Sequence, residues 1–421
     1  MTIPKPKPAV WAILAVALAL RVGAALYLGP EVQGLSGAFD EVTYSELGRR
    51  FATGHGLTFA ENWYPWIQAD APQSYFSFAM SGSLGVFYWL FGYQPLMARL
   101  LMALMSTGVV AMTYVVGRRF FSERTATLAA LVAAVHAYLI FYGAALVTET
   151  PFTFFLLAAI YAADRLRAEP SPRLWWGLGA AVVCAVHLRM AVVFFVPFLL
   201  WWATAAQPAR RRAWAVVPVV ALVVSVLPFT WWNYKTWGYP LVLQSQFGHV
   251  FWNGNHPGHQ GDFHPYRVFD IPPEVLALDN DALITNRLLE LGVKRIQEDP
   301  GDFARLALTR LRELFVFWPT ASSSADANAL RVLSVGILAP FTLAGVLMGT
   351  PHWRRLAPMY LFLATHVGIH AATWAMVRYR VPLDPFFALF ASSAMLALKD
   401  RVANPRARVD PKTALASTIH T

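Results

Sequence analysis

AVWAILAVALALRVGAALYLG, residues 9–29, carries a single charge, Arg21, over a length at which a helix crosses a hydrocarbon core, about 20 residues. Runs of this kind recur to the last quarter of the chain. Of 421 residues, 57% are hydrophobic and only 14% charged, with 16 Trp and 29 Phe, more than an ordinary soluble domain of this length uses. Lipid offers the backbone no hydrogen bonds, so each crossing must satisfy its own. The expected fold class is therefore all-α integral membrane: a polytopic helical bundle of about ten transmembrane helices, with half-embedded and interfacial helices on the outer face.

The first run is too long for a secretion signal and has no separate small-residue cleavage site. The net charge of +10 comes from short Lys and Arg clusters between apolar runs, which report topology and not a nucleic-acid face. Cys184 is the single cysteine, so an internal disulfide and a cysteine-based metal site are both excluded.

Basic clusters mark the cytoplasmic side, and they set the direction of each crossing. Lys5 and Lys7 precede the first run, so it travels outward and leaves GAFDEVTYSELGRRFATGHGL, residues 37–57, outside. Residues 74–93 are apolar too, but a crossing there would put Arg118, Arg119 and Arg124 outside. That stretch is expected to lie half-embedded on the outer face, with 95–116 as the second crossing. Further crossings are expected at 125–146, 152–163, 174–188, 192–206 and 214–232, then at 332–348, 357–375 and 381–398. The domain organisation is a membrane domain, 1–400, with a first outer loop at 30–94 and a long outer loop at 233–329, followed by a cytoplasmic tail, 401–421, expected to be disordered. Near the end of the long loop an interfacial helix is expected, with Phe303, Leu306, Leu308, Leu311, Leu314 and Phe315 on one side and Arg305, Arg310 and Arg312 elsewhere. No internal repeat is visible.

This threading gathers Asp40, Glu41, Glu149, Arg189, the loop 253–262 with Asn253, Asn255 and His256, and Arg378 and Arg380 at the outer ends of helices. Charges at the hydrocarbon boundary must pair or face water, so they mark a site. Taken singly, the acids also suit helix N-termini and the arginines suit snorkelling anchors. His366 and His370, one turn apart, fit either a metal pair or a buried hydrogen-bonded pair; His249, His256, His259 and His264 share a loop without a recognised ligand spacing. No metal site is expected. Together the carboxylates and arginines suit attack by a hydroxyl on an anionic lipid-linked substrate, since a guanidinium fork fits phosphate and a carboxylate can take the hydroxyl proton.

The stretches FDEVTYSELGRRFATGHGLTF, DAPQSYFSFAMSGSLGVFYWLFGYQPLMARLL, VTETPFTFFLLAAIY, FWNGNHPGHQGDF and RYRVPLDPFFAL, in this order and spacing, resemble the membrane glycosyltransferases of the C superfamily (GT-C). The resemblance points to family 39, which contains bacterial protein mannosyltransferases and the aminoarabinose transferase acting on lipid A. It implies sugar transfer from a polyprenyl-phosphate donor to an acceptor hydroxyl at the outer face of the cytoplasmic (inner) membrane, with inversion; the threading by basic clusters places both termini in the cytoplasm. It implies Asp40 as the base, Glu41 as its acidic neighbour and Glu149 as a second acid. The lipid A branch carries a Lys just before the Pro of the half-embedded helix, where this chain has Ala71 before Pro72. Phosphate binding is then expected of Arg380, Arg378 and Arg189, in that order, and the aminoarabinose activity itself is not expected.

The expected partners are the polyprenyl-phosphate sugar donor, a lipid, glycan or protein acceptor, and membrane lipids, with no nucleic acid. No cofactor is required, although a divalent metal is compatible with the scheme. Two other classes share parts of the pattern: a lipid-linked oligosaccharide ligase or polymerase, and a secondary transporter, which would place broken helices at the midplane and show internal repeats.

Overall fold

A computed structural model describes residues 7–34, 39–63, 67–205, 207–208, 212–259, 267–321 and 323–403. Lys5, Gln260 to Asp262, His264 and the tail beyond residue 403 lie outside the described residues. Regular structure within them is helical throughout. Among the described residues five helical stretches are long and apolar enough to cross a membrane: Pro8–Leu28, Pro95–Phe120, Ala213–Trp237, Ala325–Ala372 and Val377–Ala403. The chain is a multi-pass membrane protein.

Local chemistry sets where helices begin and end. Helix α1, Pro8–Leu28, starts on a proline and stops at Gly29, whose N–H still bonds the Ala25 carbonyl while its positive φ of 71° turns the following chain out of the helix. Helix α2, Asp40–Ala52, packs against α3, Phe78–Phe91, which is capped by the Ser77 hydroxyl. At 14 residues α3 spans about 21 Å, short of a hydrocarbon core of roughly 30 Å. Helix α4, Pro95–Phe120, is followed by α5, Glu123–Val135, which the Ser122 side chain caps.

The crossing expected at 125–146 is interrupted at His136, after which a short α6, Ala137–Phe141, follows. The interruption frees the carbonyls of Ala133 and Ala134, and Arg21 takes both, at 3.0 and 2.9 Å, while its Nε donates to the Ser106 hydroxyl at 2.7 Å. The one charge in the first apolar run thus closes a helix break in a neighbour, which keeps a fully buried guanidinium hydrogen-bonded.

Helix α7, Glu149–Ala168, returns beside α4, and α8, Pro172–Leu188, packs along α7. A 3-10 turn, Met190–Phe194, leads into α9, Val196–Ala205; α10, Val216–Trp237, then packs on α8. At the end of the chain come α16, Ala339–Gly349, α17, Trp353–Ala372, a 3-10 segment, Val377–Leu383, and α18, Asp384–Ala403.

The region 233–329 holds more helix than the sequence reading assigned to it: α11, Gln246–Gly254, α12, Pro273–Leu276, α13, Asp281–Glu298, α14, Pro300–Leu314, and α15, Ala325–Arg331. The expected interfacial helix is α14, but its buried face differs. Leu308 is 68% exposed and Arg310 is fully buried. The docking face runs through Leu306, Arg310 and Leu314, because Arg310 answers carbonyls left open at other helix ends, Ala371 at 2.6 Å and Gly254 at 2.5 Å.

Alternating helices bring the C-termini of α1, α8, α10 and α17 and the N-termini of α4, α7 and α18 to one end of the bundle, the site end. At the other end Asp164 on α7 accepts from both Arg119 on α4 and Arg355 on α17, the latter at 2.6 Å.

Candidate active site

Two adjacent carboxylates open α2 and part at once, since successive helical residues point about 100° apart. Glu41 turns inward and is fully buried; it takes Nη2 and Nη1 of Arg99 at 2.8 and 3.0 Å and the Leu146 N–H at 3.2 Å. Arg99 also donates to the carbonyls of Gly29, at 3.1 Å, and Glu31, at 3.0 Å. The pair ties α1, α2, α4 and the approach to α7 together. Asp40 turns the other way, to the border of a cavity of about 580 Å³.

Asp40 Oδ2 accepts from Arg378 Nη2 at 2.6 Å, Arg378 Nε stands 3.6 Å from Glu149 Oε1, and the same oxygen accepts from Arg189 Nη2 at 3.1 Å. Four charges from four separate segments therefore form one chain: Asp40, Arg378, Glu149, Arg189. Glu149 sits at the N-terminus of α7, where the helix dipole favours its charge. The Tyr379 ring lies beneath both guanidinium groups, with Arg189 at 4.8 Å and Arg378 at 5.4 Å from its centroid. Arg189 Nη1, Arg378 Nε and Glu149 Oε2 are buried with no hydrogen-bond partner among the described residues. Arg189 and Arg378 therefore bring to the border of the cavity N–H groups that no described residue accepts as hydrogen-bond donors.

The cavity has two characters. Its polar end is bordered by Asp40, Tyr44, Arg189, Arg378 and Tyr379, and by His366 and His370 on α17. Its flank is apolar, formed by Val192 and Phe194 after α8 and by Leu222, Val226 and Leu227 on α10. Burial, with Asp40 and Glu149 adding to it, pushes the Tyr44 phenol above its ordinary range, so it stays a hydroxyl donor beside Asp40.

Several expected site residues are placed elsewhere. Arg380, ranked first for phosphate, is 1% exposed and does not border the cavity; it donates to the Val316 carbonyl at 3.2 Å, lies 3.4 Å from Asp384 and stacks on Tyr138. The order of the arginines is corrected accordingly, with Arg378 and Arg189 at the cavity and Arg380 behind its wall. Glu41 is likewise corrected from an acidic partner at the site to the buried partner of Arg99.

Asn253, Asn255 and His256 do not border the cavity either. Asn253 holds the Phe269 N–H at 2.8 Å and the Arg267 carbonyl at 3.3 Å, Asn255 donates to the Ala372 carbonyl at 3.1 Å, and His256 accepts from the Gly258 N–H and stacks on Phe269. Their polar atoms are used to shape the loop itself. His366 and His370 each bond a backbone carbonyl through one ring nitrogen.

Tyr379 was not singled out from the sequence, although its place between two arginines in RYR was the available signal. Arg99 gave less warning, as one charge within an apolar run. Among the described residues no three His, Cys, Asp or Glu side chains come together as a metal site.

A model of the dolichyl-phosphate-mannose-protein mannosyltransferase family matches residues 83–232. No curated protein matches the chain. Among solved structures, the oligosaccharyltransferase AglB from Archaeoglobus fulgidus, in complex with an inhibitory peptide and a dolichol-phosphate, is similar with a TM-score of 0.56 at 15% identity, over 95% of this chain and 51% of that one. An Archaeoglobus fulgidus oligosaccharyltransferase tethered with an acceptor peptide gives 0.56 at 14% identity, over 97% and 52%. ArnT from Cupriavidus metallidurans bound to undecaprenyl phosphate gives 0.43 at 16% identity, over 96% and 81%. This chain spans about half the length of these oligosaccharyltransferase chains.

Proposed function

We propose that this chain, a member of the GT-C superfamily by its fold, transfers a sugar from a polyprenyl-phosphate-linked donor to an acceptor hydroxyl at the outer face of the cytoplasmic membrane. The observation that carries the reading is a single cavity with Asp40, Arg378 and Arg189 at one end and an apolar flank along α8 and α10. A lipid-linked phosphate needs both parts: guanidinium donors for its oxygens and a greasy path for its tail. The family model matched over residues 83–232 accords with this donor class.

In this scheme Arg378 and Arg189 hold the phosphate through their guanidinium N–H groups, and Glu149 keeps the two cations side by side. The acceptor oxygen attacks the anomeric carbon, the bond from that carbon to the phosphate oxygen breaks with inversion, and the acceptor proton passes to Asp40. The polyprenyl phosphate departs carrying the extra negative charge. That charge draws on the same Arg378 that pairs with Asp40 here, so leaving-group stabilisation and release of the base are coupled. Residues of the chain fill every role without a metal. Basic residues at the opposite end, among them Arg118, Arg119, Arg354, Arg355 and Lys399, support an outward site end, since basic clusters favour the cytoplasmic side.

The test is turnover of a radiolabelled polyprenyl-phosphate hexose by the purified full chain. Asp40→Asn is expected to lose about 10²- to 10⁴-fold in turnover while binding the donor within a few-fold of wild type. Wild-type rates in Asp40→Asn would remove it as the base, and loss of wild-type turnover in excess chelator would bring a metal into the mechanism.

A further inference from the structure

Helix α17 ends beside the polar end of the cavity, and His366 and His370 border that cavity from successive turns. Their rings meet edge to face with centroids 4.5 Å apart. Each spends one nitrogen on a backbone carbonyl: His366 Nε2 lies 2.8 Å from the Tyr379 oxygen and His370 Nδ1 lies 3.0 Å from the Trp374 oxygen. A carbonyl oxygen only accepts, so the bonded ring nitrogen must carry the proton in both cases. In the neutral rings this fixes the tautomers and leaves His366 Nδ1 and His370 Nε2 as lone-pair acceptors.

These acceptors differ from everything the arginines offer. A phosphate needs donors and is repelled by lone pairs, whereas a hydroxyl group suits them. The two kinds of group are also close together, because the His370 ring lies 4.6 Å from the ring of Tyr379, on which Arg189 rests at 4.8 Å. Two imidazoles alone make a poor metal site, and among the described residues no third ligand joins them.

We propose that His366 and His370 form a hydroxyl-reading subsite, in which His366 Nδ1 and His370 Nε2 accept hydrogen bonds from the hydroxyl groups of a hexose joined to the phosphate. This rests on the lipid-phosphate reading of the cavity and adds to it the feature that distinguishes a sugar-bearing lipid from the bare phosphate.

The variants His366→Gln and His370→Asn separate this role from a structural one. The Gln amide nitrogen stands where Nε2 stood and the Asn amide nitrogen where Nδ1 stood, so each keeps its bond to the backbone carbonyl and loses the acceptor at the other ring position. Binding of polyprenyl phosphate, polyprenyl-phosphate mannose and polyprenyl-phosphate glucose to the full chain in detergent is measured for wild type and both variants. Wild type is expected to prefer at least one sugar-bearing lipid over polyprenyl phosphate, and each variant to lose about tenfold of that preference, with polyprenyl phosphate binding unchanged. Equal weakening for all three lipids would make the pair merely structural and overturn the proposal. So would a preference retained in full by both variants, or a wild type without preference. Failure of wild type to bind polyprenyl phosphate would instead strike the lipid-phosphate reading.

Discussion

Asp40 and Glu41 are neighbours in sequence and opposites in environment. One has a side chain 31% exposed at the cavity; the other is wholly enclosed with Arg99. Removing one member of a buried ion pair strands the other, at a cost of roughly 3–5 kcal/mol. Glu41→Ala is therefore expected to lower unfolding stability in detergent by an amount of that order, and Glu41→Gln by less, because the amide oxygen still accepts from Arg99. Any molecules that remain folded should turn over as wild type does, whereas Asp40→Asn should fold normally and turn over poorly. An unfolding midpoint unchanged in Glu41→Ala would contradict the clamp. Sequence reading found the acidic pair and could not divide its roles, because the division depends on where Arg99 stands, 58 residues further along the chain.

At the scale of elements, the region after α10 is held to the bundle by a polar clasp. Asp281, at the start of α13, accepts from the Ser74 hydroxyl at 2.6 Å, the Ser74 N–H at 3.2 Å and the Ser245 hydroxyl at 2.8 Å, and the Ser245 N–H returns to the Ser74 carbonyl at 2.9 Å. Burial pushes the Asp281 carboxyl up, and the bonds from Ser74 and Ser245 oppose that shift. The clasp joins segments that border the cavity, since Ser77 lies three residues after Ser74 and Gln244 and Gln246 flank Ser245. Asp281→Ala is expected to raise backbone hydrogen exchange across residues 239–259 and 72–77 while leaving α4 and α7 protected. Uniform exchange in all of these would show that the clasp holds nothing locally. The same scale shows why α14 was read with its faces partly exchanged: hydrophobic periodicity assigns an arginine to water, but two open carbonyls assign Arg310 to the interior.

For the whole molecule, the close meeting of α4, α5 and α18 depends on Gly117. A Cβ there would fall 2.6 Å from Leu389 Cδ2 and 2.9 Å from Ala126 Cβ, so a side chain would force three helices apart. Gly117→Val is expected to cost about 1–3 kcal/mol of stability, read as a lower unfolding midpoint in detergent. Wild-type stability would mean that the helices yield more easily than their packing indicates.

Apolar run length, by itself, determined that this chain is a helical membrane protein, because hydrocarbon imposes that requirement on each segment separately. Basic clusters gave the alternation that gathers Asp40, Glu149, Arg189 and Arg378 at one end. Which charges border the cavity and which seal its walls was decided only by the tertiary structure. Glu41 and Arg380 read as site residues in sequence, yet Glu41 is drawn inward by Arg99, 58 residues further on, and Arg380 by the Val316 carbonyl, 64 residues back, and no local pattern encodes those partners.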